Sequence, residues 1–255
     1  MIKFTFYDIE TAWDDDLHAA YRSIDRRVKA RVRMASRRVF AAAAFDVTLH
    51  SDGAICFERM ASWTEYTHGD EQAVVRGLFD HLRAVPDNIA TAFGSVAMDL
   101  PILTLAAMEH GLPLPTQLLL RKPAPKRGPI RPHLDLGLQL KATGKSWTHL
   151  SEVLIRLGLP ATLMQGKKRV EFPTDPAGWA AARAHCELDT ALLAIATMAW
   201  QRSQGQCSLD PRIASFVTLD WLRRNRPLTP AMQDKLAEIC AAMSEQLADH
   251  LLRAA

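Results

Sequence analysis

Zinc-type cysteine spacing is missing from this chain. Its four cysteines, Cys56, Cys186, Cys207 and Cys240, form no CxxC pair, which argues against the common structural zinc sites. No apolar run approaches the ~20 residues that a membrane-spanning helix needs, and the N-terminus does not read as a secretory signal. The expectation is therefore a protein with no membrane partner in a reducing compartment such as the cytoplasm. A strong charge of one sign is lacking too: the net charge is +3 over 255 residues, so the overall balance says little about partners. Internal repeats are absent. What is present is ordinary globular composition, 48% hydrophobic and 23% charged, at a length that suits one large α/β domain or one domain with an appendage.

The periodicity supplies an outline. Ile2–Ile9 is short and rich in β-branched and aromatic residues and reads as a buried strand ending in Asp8-Ile9-Glu10-Thr11. Val39–Leu49 and Ala54–Trp63 read as two strands joined by a Ser51-Asp52-Gly53 hairpin turn. Glu71–Val85 has helical spacing, Pro86-Asp87-Asn88 breaks it, and Ile89–Phe93 is a further strand. Helices are expected from about Leu100 to Gly111, over His149–Leu157, and over Pro176–Arg202, which is rich in Ala and Leu. The last ~50 residues look purely helical. There Thr229-Pro230 suits an N-cap and first turn. Met232, Leu236, Ile239, Met243, Leu247 and Leu251 make an apolar stripe that fits either packing on the body of the protein or a contact between copies.

Positive charge is local. Arg22, Arg26, Arg27, Lys29, Arg31, Arg33, Arg37 and Arg38 crowd residues 22–38 against one acid, Asp25. A Pro/Gly/basic loop covers 121–131, and Lys167-Lys168-Arg169 is a third basic segment. These runs suit either a solvated surface or a phosphate-facing one.

Four carboxylates stand out by position. Asp8 and Glu10 are two apart on a strand and so project from one face. Two such anions repel unless a cation lies between them. Asp99 follows the next apolar strand at a helix start, a position that also suits an N-cap. Asp189 lies in a largely apolar helix with His185 one turn before it on the same face. Glu187 points elsewhere and reads as a surface acid. Hard oxygen donors of this kind suit Mg²⁺ or Mn²⁺ rather than zinc. Two ions about 4 Å apart could activate water and steady a leaving oxygen of a phosphodiester, and a nearby histidine could take the proton.

The pattern resembles the DEDD superfamily of 3′→5′ exonucleases. Phe6-Tyr7-Asp8-Ile9-Glu10-Thr11 resembles the family's strand-borne "hDhET" motif, and Phe93-Gly94-Ser95-Val96-Ala97-Met98-Asp99-Leu100-Pro101 resembles "FNGxxFDhP". His185-Cys186-Glu187-Leu188-Asp189 resembles "YCxxD". His133-Leu134-Asp135-Leu136, Leu150-Ser151-Glu152-Val153 and Leu157-Gly158-Leu159-Pro160 are similar to a run found in bacterial exonucleases related to the proofreading domain of B-family DNA polymerases. Among the departures from the pattern, Gly94 stands for an asparagine, Met98 for a phenylalanine, and His185 for a tyrosine.

The resemblance implies an α/β, ribonuclease-H-like mixed β-sheet flanked by helices over residues 1–203, with a basic insertion near 22–38. Residues 204–255 form a helical C-terminal extension outside it. It also implies two Mg²⁺ or Mn²⁺ ions held by Asp8, Glu10, Asp99 and Asp189, with Asp8 bridging and His185 as base. Ile9, Thr11, Gly94 and Ser95 would seat the terminal nucleotide, whereas Asp135 is read as a helix N-cap rather than a ligand. The implied substrate is nucleic acid with a free 3′ end, preferably single-stranded, DNA or RNA, and the products are nucleoside 5′-monophosphates. The chain would be a stand-alone nuclease or a subunit, able to self-associate through its C-terminal helices. The same motifs also fit a weak or inactive relative that binds nucleic-acid ends.

Overall fold

A computed structural model of the chain describes residues 1–25, 34–119, 133–164 and 171–254. The basic loop 121–131, the basic triplet 167–169 and the middle of the basic stretch 22–38 lie outside the described residues. The elements in chain order are β1 (Ile2–Trp13), α1 (Asp15–Ile24), a 3-10 turn (Met34–Ser36), β2 (Arg37–Leu49), β3 (Ile55–Thr64), α2 (Glu65–His68), α3 (Glu71–Ala84), β4 (Ile89–Ala92), α4 (Asp99–His110) and β5 (His133–Asp135). Then come α5 (Leu136–Lys141), α6 (Leu150–Arg156), α7 (Ala161–Met164), α8 (Pro176–Ser203), α9 (Pro211–Asn225) and α10 (Pro230–Ala254).

The five strands form one mixed sheet in the order β3-β2-β1-β4-β5. β1, β2 and β3 are antiparallel neighbours, whereas β4 runs parallel to β1, and β5 parallel to β4. This is the expected ribonuclease-H-like α/β architecture. The hairpin is where the turn residues put it, with Gly53 at φ +91° between β2 and β3. β1 is longer than expected. It does not end at Thr11 but stays paired with β2 as far as Trp13 opposite Arg37. The apolar pattern stops at Ile9, but backbone pairing does not depend on apolar side chains.

Alternation along β1 sorts the two faces of the sheet. Phe4 and Phe6 join the apolar cluster that contains Leu188, Leu192 and Ile195 of α8. Tyr7 and Ile9 face the other way, into a cluster with Val74, Val75, Leu78, Phe79 and Leu82 of α3 and Ile102 and Leu103 of α4. β2 carries the run Ala41–Ala44, all buried; such small side chains let helices lie close on both faces.

The C-terminal helices share the first of these clusters. Leu219 and Leu222 of α9 and Leu236, Ile239 and Cys240 of α10 are buried in it, and Met232 and Met243 pack against it. Trp221 stacks on Phe45 of β2 at 4.8 Å. The first half of the C-terminal stripe is thus spent on intramolecular packing. Thr229 caps α10 as expected, its Oγ1 accepting from the Met232 N–H at 3.4 Å.

Glu187 corrects the sequence reading: it is a buried acid, 0% exposed, not a surface one. Its Oε1 accepts from Ser62 Oγ at 2.7 Å and from Arg226 at 2.6 Å. α8 is wedged between the sheet and α9, so its side away from Asp189 is interior as well. Among the described residues no helix is long and apolar enough to cross a membrane.

Candidate active site

The face of β1 that meets α8 changes character along its length. Phe4 and Phe6 are fully buried, and the next two side chains on that face, Asp8 and Glu10, are half-buried at the margin of the core. α8 changes in register with it, presenting buried Leu192 and Leu188 and then half-buried Asp189 and His185. The result is a polar patch at the rim of a sheet–helix interface. His185 Nε2 lies 3.5 Å from Glu10 Oε1 and 3.5 Å from Asp189 Oδ2. The Cys186 thiol donates to the Asp8 carbonyl oxygen at 3.3 Å, stitching the helix to the strand at this level. Burial pushes that thiol well above its ordinary value, and the charges of Asp8, Glu10 and Asp189 push it further.

Immediately beyond Glu10 the ladder slips. Glu10 pairs with Ala41 and Thr11 with Val39, leaving Phe40 as the extra residue of a β-bulge. Bulges bend a strand and re-aim its side chains, and here Phe40 and Ala41 both end in the cluster on the α8 side.

Asp99 comes from α4, which packs on the opposite face of the sheet from α8. It is the first residue of α4; the N-cap is Met98, with no side-chain cap bond, so Asp99 does not serve as a cap. Burial pushes its carboxyl up to about 7, with the Asp135 charge adding to the effect. The buried Tyr7 hydroxyl feels both sides of the site. It is raised first by burial and then by Asp99, and by Asp135 and Asp8 more weakly, while a hydrogen bond with Ser95 lowers it.

The loop before Asp99 is held by Asp135. This buried carboxylate accepts from Gly94 N–H at 2.8 Å, from Val96 N–H at 2.9 Å and from Leu138 N–H at 2.9 Å. The third bond makes it the N-cap of α5, as expected; the first two clamp the loop. Gly94 sits at φ +69°, where only glycine and, less comfortably, asparagine or aspartate are at ease. That explains how glycine stands where the resembled motif has asparagine. Gly137 completes the close approach, since a Cβ there would meet the Gly94 nitrogen at 2.8 Å.

Of the other residues singled out in the sequence, Ile9 turns its side chain into the core on the α3 side. Thr11 Oγ1 accepts from Arg37 at 3.3 Å. Ser95 is fully buried with its Oγ 3.3 Å from His133 Nε2. The same His133 nitrogen lies 3.0 Å from the Tyr7 hydroxyl. This Tyr7–His133–Ser95 group was not legible in the sequence. Its one available signal is that His133 and Asp135 alternate on one strand and share a face.

The structure thus gathers Asp8, Glu10, His185 and Asp189, and places Asp99 within electrostatic reach of Tyr7, whose side chain lies on the other face of the sheet. The four acids do not form a tight cluster. Among the described residues, three ligand atoms within 4.8 Å of one another occur at Glu71, Glu109 and His110. That group is already knitted by Arg38, which pairs with Glu71 at 3.0 Å, with Asp14 at 3.1 Å and with Glu109. Arg38, part of the basic stretch, is therefore occupied by carboxylates. The donors at Asp8, Glu10, Asp99 and Asp189 are all hard oxygens, and they fit divalent Mg²⁺ or Mn²⁺ by chemistry.

No protein-family model matches the chain, and no curated protein does. Among solved structures it is similar to the family B DNA polymerase from the hyperthermophilic archaeon Pyrobaculum calidifontis, with 15% identity over 87% of this chain and 29% of that one, at a TM-score of 0.43. It is also similar to E. coli Exonuclease I in complex with a 5cy-dA13 oligonucleotide, at 11% identity, 92% and 42% coverage and a TM-score of 0.34. Exonuclease I from Methylocaldum szegediense follows at 10% identity, 89% and 41% coverage and a TM-score of 0.34. The chain spans less than half the length of each.

Proposed function

We propose that this chain is a metal-dependent 3′→5′ exonuclease that hydrolyses single-stranded DNA or RNA to nucleoside 5′-monophosphates. The observation that supports it best is the meeting of Asp8 and Glu10 from β1 with His185 and Asp189 from α8, residues that lie about 180 positions apart in the sequence. Apolar packing needs no carboxylates there, and two of them meet one histidine at 3.5 Å each, an arrangement of hard oxygen donors that suits a divalent cation.

Asp8, Glu10, Asp99 and Asp189 would hold two Mg²⁺ or Mn²⁺ ions. Such ions, when bound, supply Lewis-acid chemistry, making water more acidic and offsetting charge on the phosphate. His185 Nε2, aimed between Glu10 and Asp189, takes the proton of the attacking water. An unperturbed imidazole titrates near 6.5, well below a tyrosine at about 10, and so is the better base near neutrality. The water oxygen bonds to phosphorus, the bond from phosphorus to the 3′ oxygen breaks, and that oxygen leaves with a proton as the new 3′ end. Ile9 and Thr11 would seat the terminal nucleotide, mainly through their backbone. The Gly94–Ser95 turn would contribute backbone as well, because the Ser95 side chain is committed to His133.

A second reading is an inactive relative that binds nucleic-acid ends. It is favoured by His185 itself, which can pair with both carboxylates in place of a cation. One assay separates the two. A 5′-labelled single strand is incubated with Mn²⁺, with chelator, and with Asp8→Ala protein. The nuclease reading expects stepwise shortening from the 3′ end with Mn²⁺ only, lost by several powers of ten in the variant. Binding without shortening would establish the second reading.

A further inference from the structure

Beside the carboxylate patch, on the same side of the sheet, lies a group of aromatic rings that the reaction outlined above does not use. Phe40, the bulged residue opposite the Glu10–Thr11 step, is fully buried and packs edge-to-face on Phe172 at 5.5 Å and on Trp179 at 5.9 Å. Phe172 meets Trp179 edge-on at 5.2 Å. Tyr66 of α2 lies nearly parallel to Trp179, tilted by 20°, with ring centroids 6.1 Å apart. Trp179 is almost wholly covered, yet Tyr66 is 59% exposed and Phe172 48% exposed. Two large rings are therefore held in solvent by a buried tryptophan and a buried phenylalanine.

The group is continuous with the site. On α8, Trp179, Ala182 and Cys186 follow helical spacing on the face toward the sheet, so Trp179 lies six residues before His185, about 9 Å along the helix axis. On β1, Ala12 is the next side chain after Glu10 on that face, and it packs against the cluster that holds Phe40 and Trp179. A strand with its 3′ end at the carboxylates and its chain directed along this face passes over the rings.

We propose that Tyr66 and Phe172, backed by Trp179, form a base-stacking platform for the single strand upstream of its 3′ end. This rests on the exonuclease reading of the neighbouring site. The chemistry selects base faces rather than phosphates: an aromatic ring gives a base a stacking surface and gives a phosphate no charge to pair with, and the immediate sequence neighbours Glu65 and Glu171 are acids. Stacking on aromatic rings is tolerant of sequence. The platform thus favours single strands, whose bases are free to turn out, and favours longer oligonucleotides over dinucleotides, which have little chain left to reach it.

The test combines Tyr66→Ala/Phe172→Ala with two readouts. Binding of a 5′-fluorescein dA10 strand is followed by anisotropy in chelator, where no cleavage interferes. Hydrolysis with Mn²⁺ is then compared between dA10 and the dinucleotide dA2. The expected results are binding weakened roughly 5- to 100-fold and a fall of similar size in the dA10-to-dA2 ratio of kcat/KM. Tyr66→Trp should keep both near the starting protein, which a merely structural defect would not predict. Placing an abasic unit upstream of the 3′ end should weaken binding to the starting protein and have little effect on the double variant. Unchanged dA10 binding with an unchanged ratio would overturn the platform and leave the nuclease reading standing. Ring-dependent binding with no hydrolysis of any strand would do the reverse.

Discussion

Arg226 fastens the C-terminal helices to the sheet, and its removal can be costed. The guanidinium donates to Glu187 at 2.6 Å, to Ser62 Oγ at 3.3 Å and to the Met60 carbonyl at 3.1 Å, joining the α9–α10 connection to α8 and β3. Arg226→Ala leaves the Glu187 carboxylate, with no exposure to solvent, supported by Ser62 alone. Breaking a buried pair in this way costs about 3–5 kcal/mol. For a chain of this size each kcal/mol moves the melting point by roughly 2–4 °C, so a fall of about 10 °C is expected. Replacing both partners by apolar residues, as in Glu187→Met/Arg226→Leu, should recover most of the loss, because paired and apolar versions of a buried site are often close in free energy. Urea unfolding at pH 7 of the starting protein, both single variants and the double variant gives the coupling energy directly, with ~2 kcal/mol or more expected. A cost under about 1 kcal/mol for Arg226→Ala, the range of a solvated pair, would refute the claim that this carboxylate is buried and dependent on the arginine.

Three further outcomes are expected. Asp135→Ala removes the acceptor for the Gly94, Val96 and Leu138 N–H groups and should cost about 3 kcal/mol or more in chemical denaturation, along with a loss of hydrolysis as the Asp99 loop loosens. Gly94→Asn should be tolerated, whereas Gly94→Val, which places a β-branched residue at φ +69°, should cost at least about 1–2 kcal/mol. The Asp99 carboxyl, raised from 3.8 to about 7, holds its proton longer in the folded chain than in the unfolded one. Stability of the metal-free protein should therefore fall as pH rises from about 4 to 7, and Asp99→Asn should flatten that slope in thermal melts. A slope unchanged in the variant would assign the effect to another group.

The sheet was largely legible because its strands carry strong local signals. Ile2–Ile9 and Val39–Leu49 are apolar and β-branched, and Ser51-Asp52-Gly53 supplies its own turn chemistry. Asp135 was legible as a cap for the same reason: capping is a local event. The rest depended on what lies across space. The extension of β1 to Trp13 is set by a partner strand, not by its own apolar pattern. Glu187 looked like a surface acid because α8 was read with one buried side; α9 covers the other and brings Arg226 with it. Within the site, Asp8, Glu10, His185 and Asp189 were marked by spacing on their own elements, and the structure brings these four together. The Tyr7–His133–Ser95 group has no local signal, because its members come from β1, β5 and the loop before α4, and each looks unexceptional alone.

Mn²⁺ binding followed by electron paramagnetic resonance asks whether the acids of β1, α4 and α8 together hold divalent ions. Saturable binding is expected, lost in Asp8→Ala and in Asp189→Ala and kept in Glu109→Ala. Binding that survives both of the first two substitutions and disappears in the third would place the ion at Glu71, Glu109 and His110 instead, and no saturable binding at all would mean that these acids hold no ion.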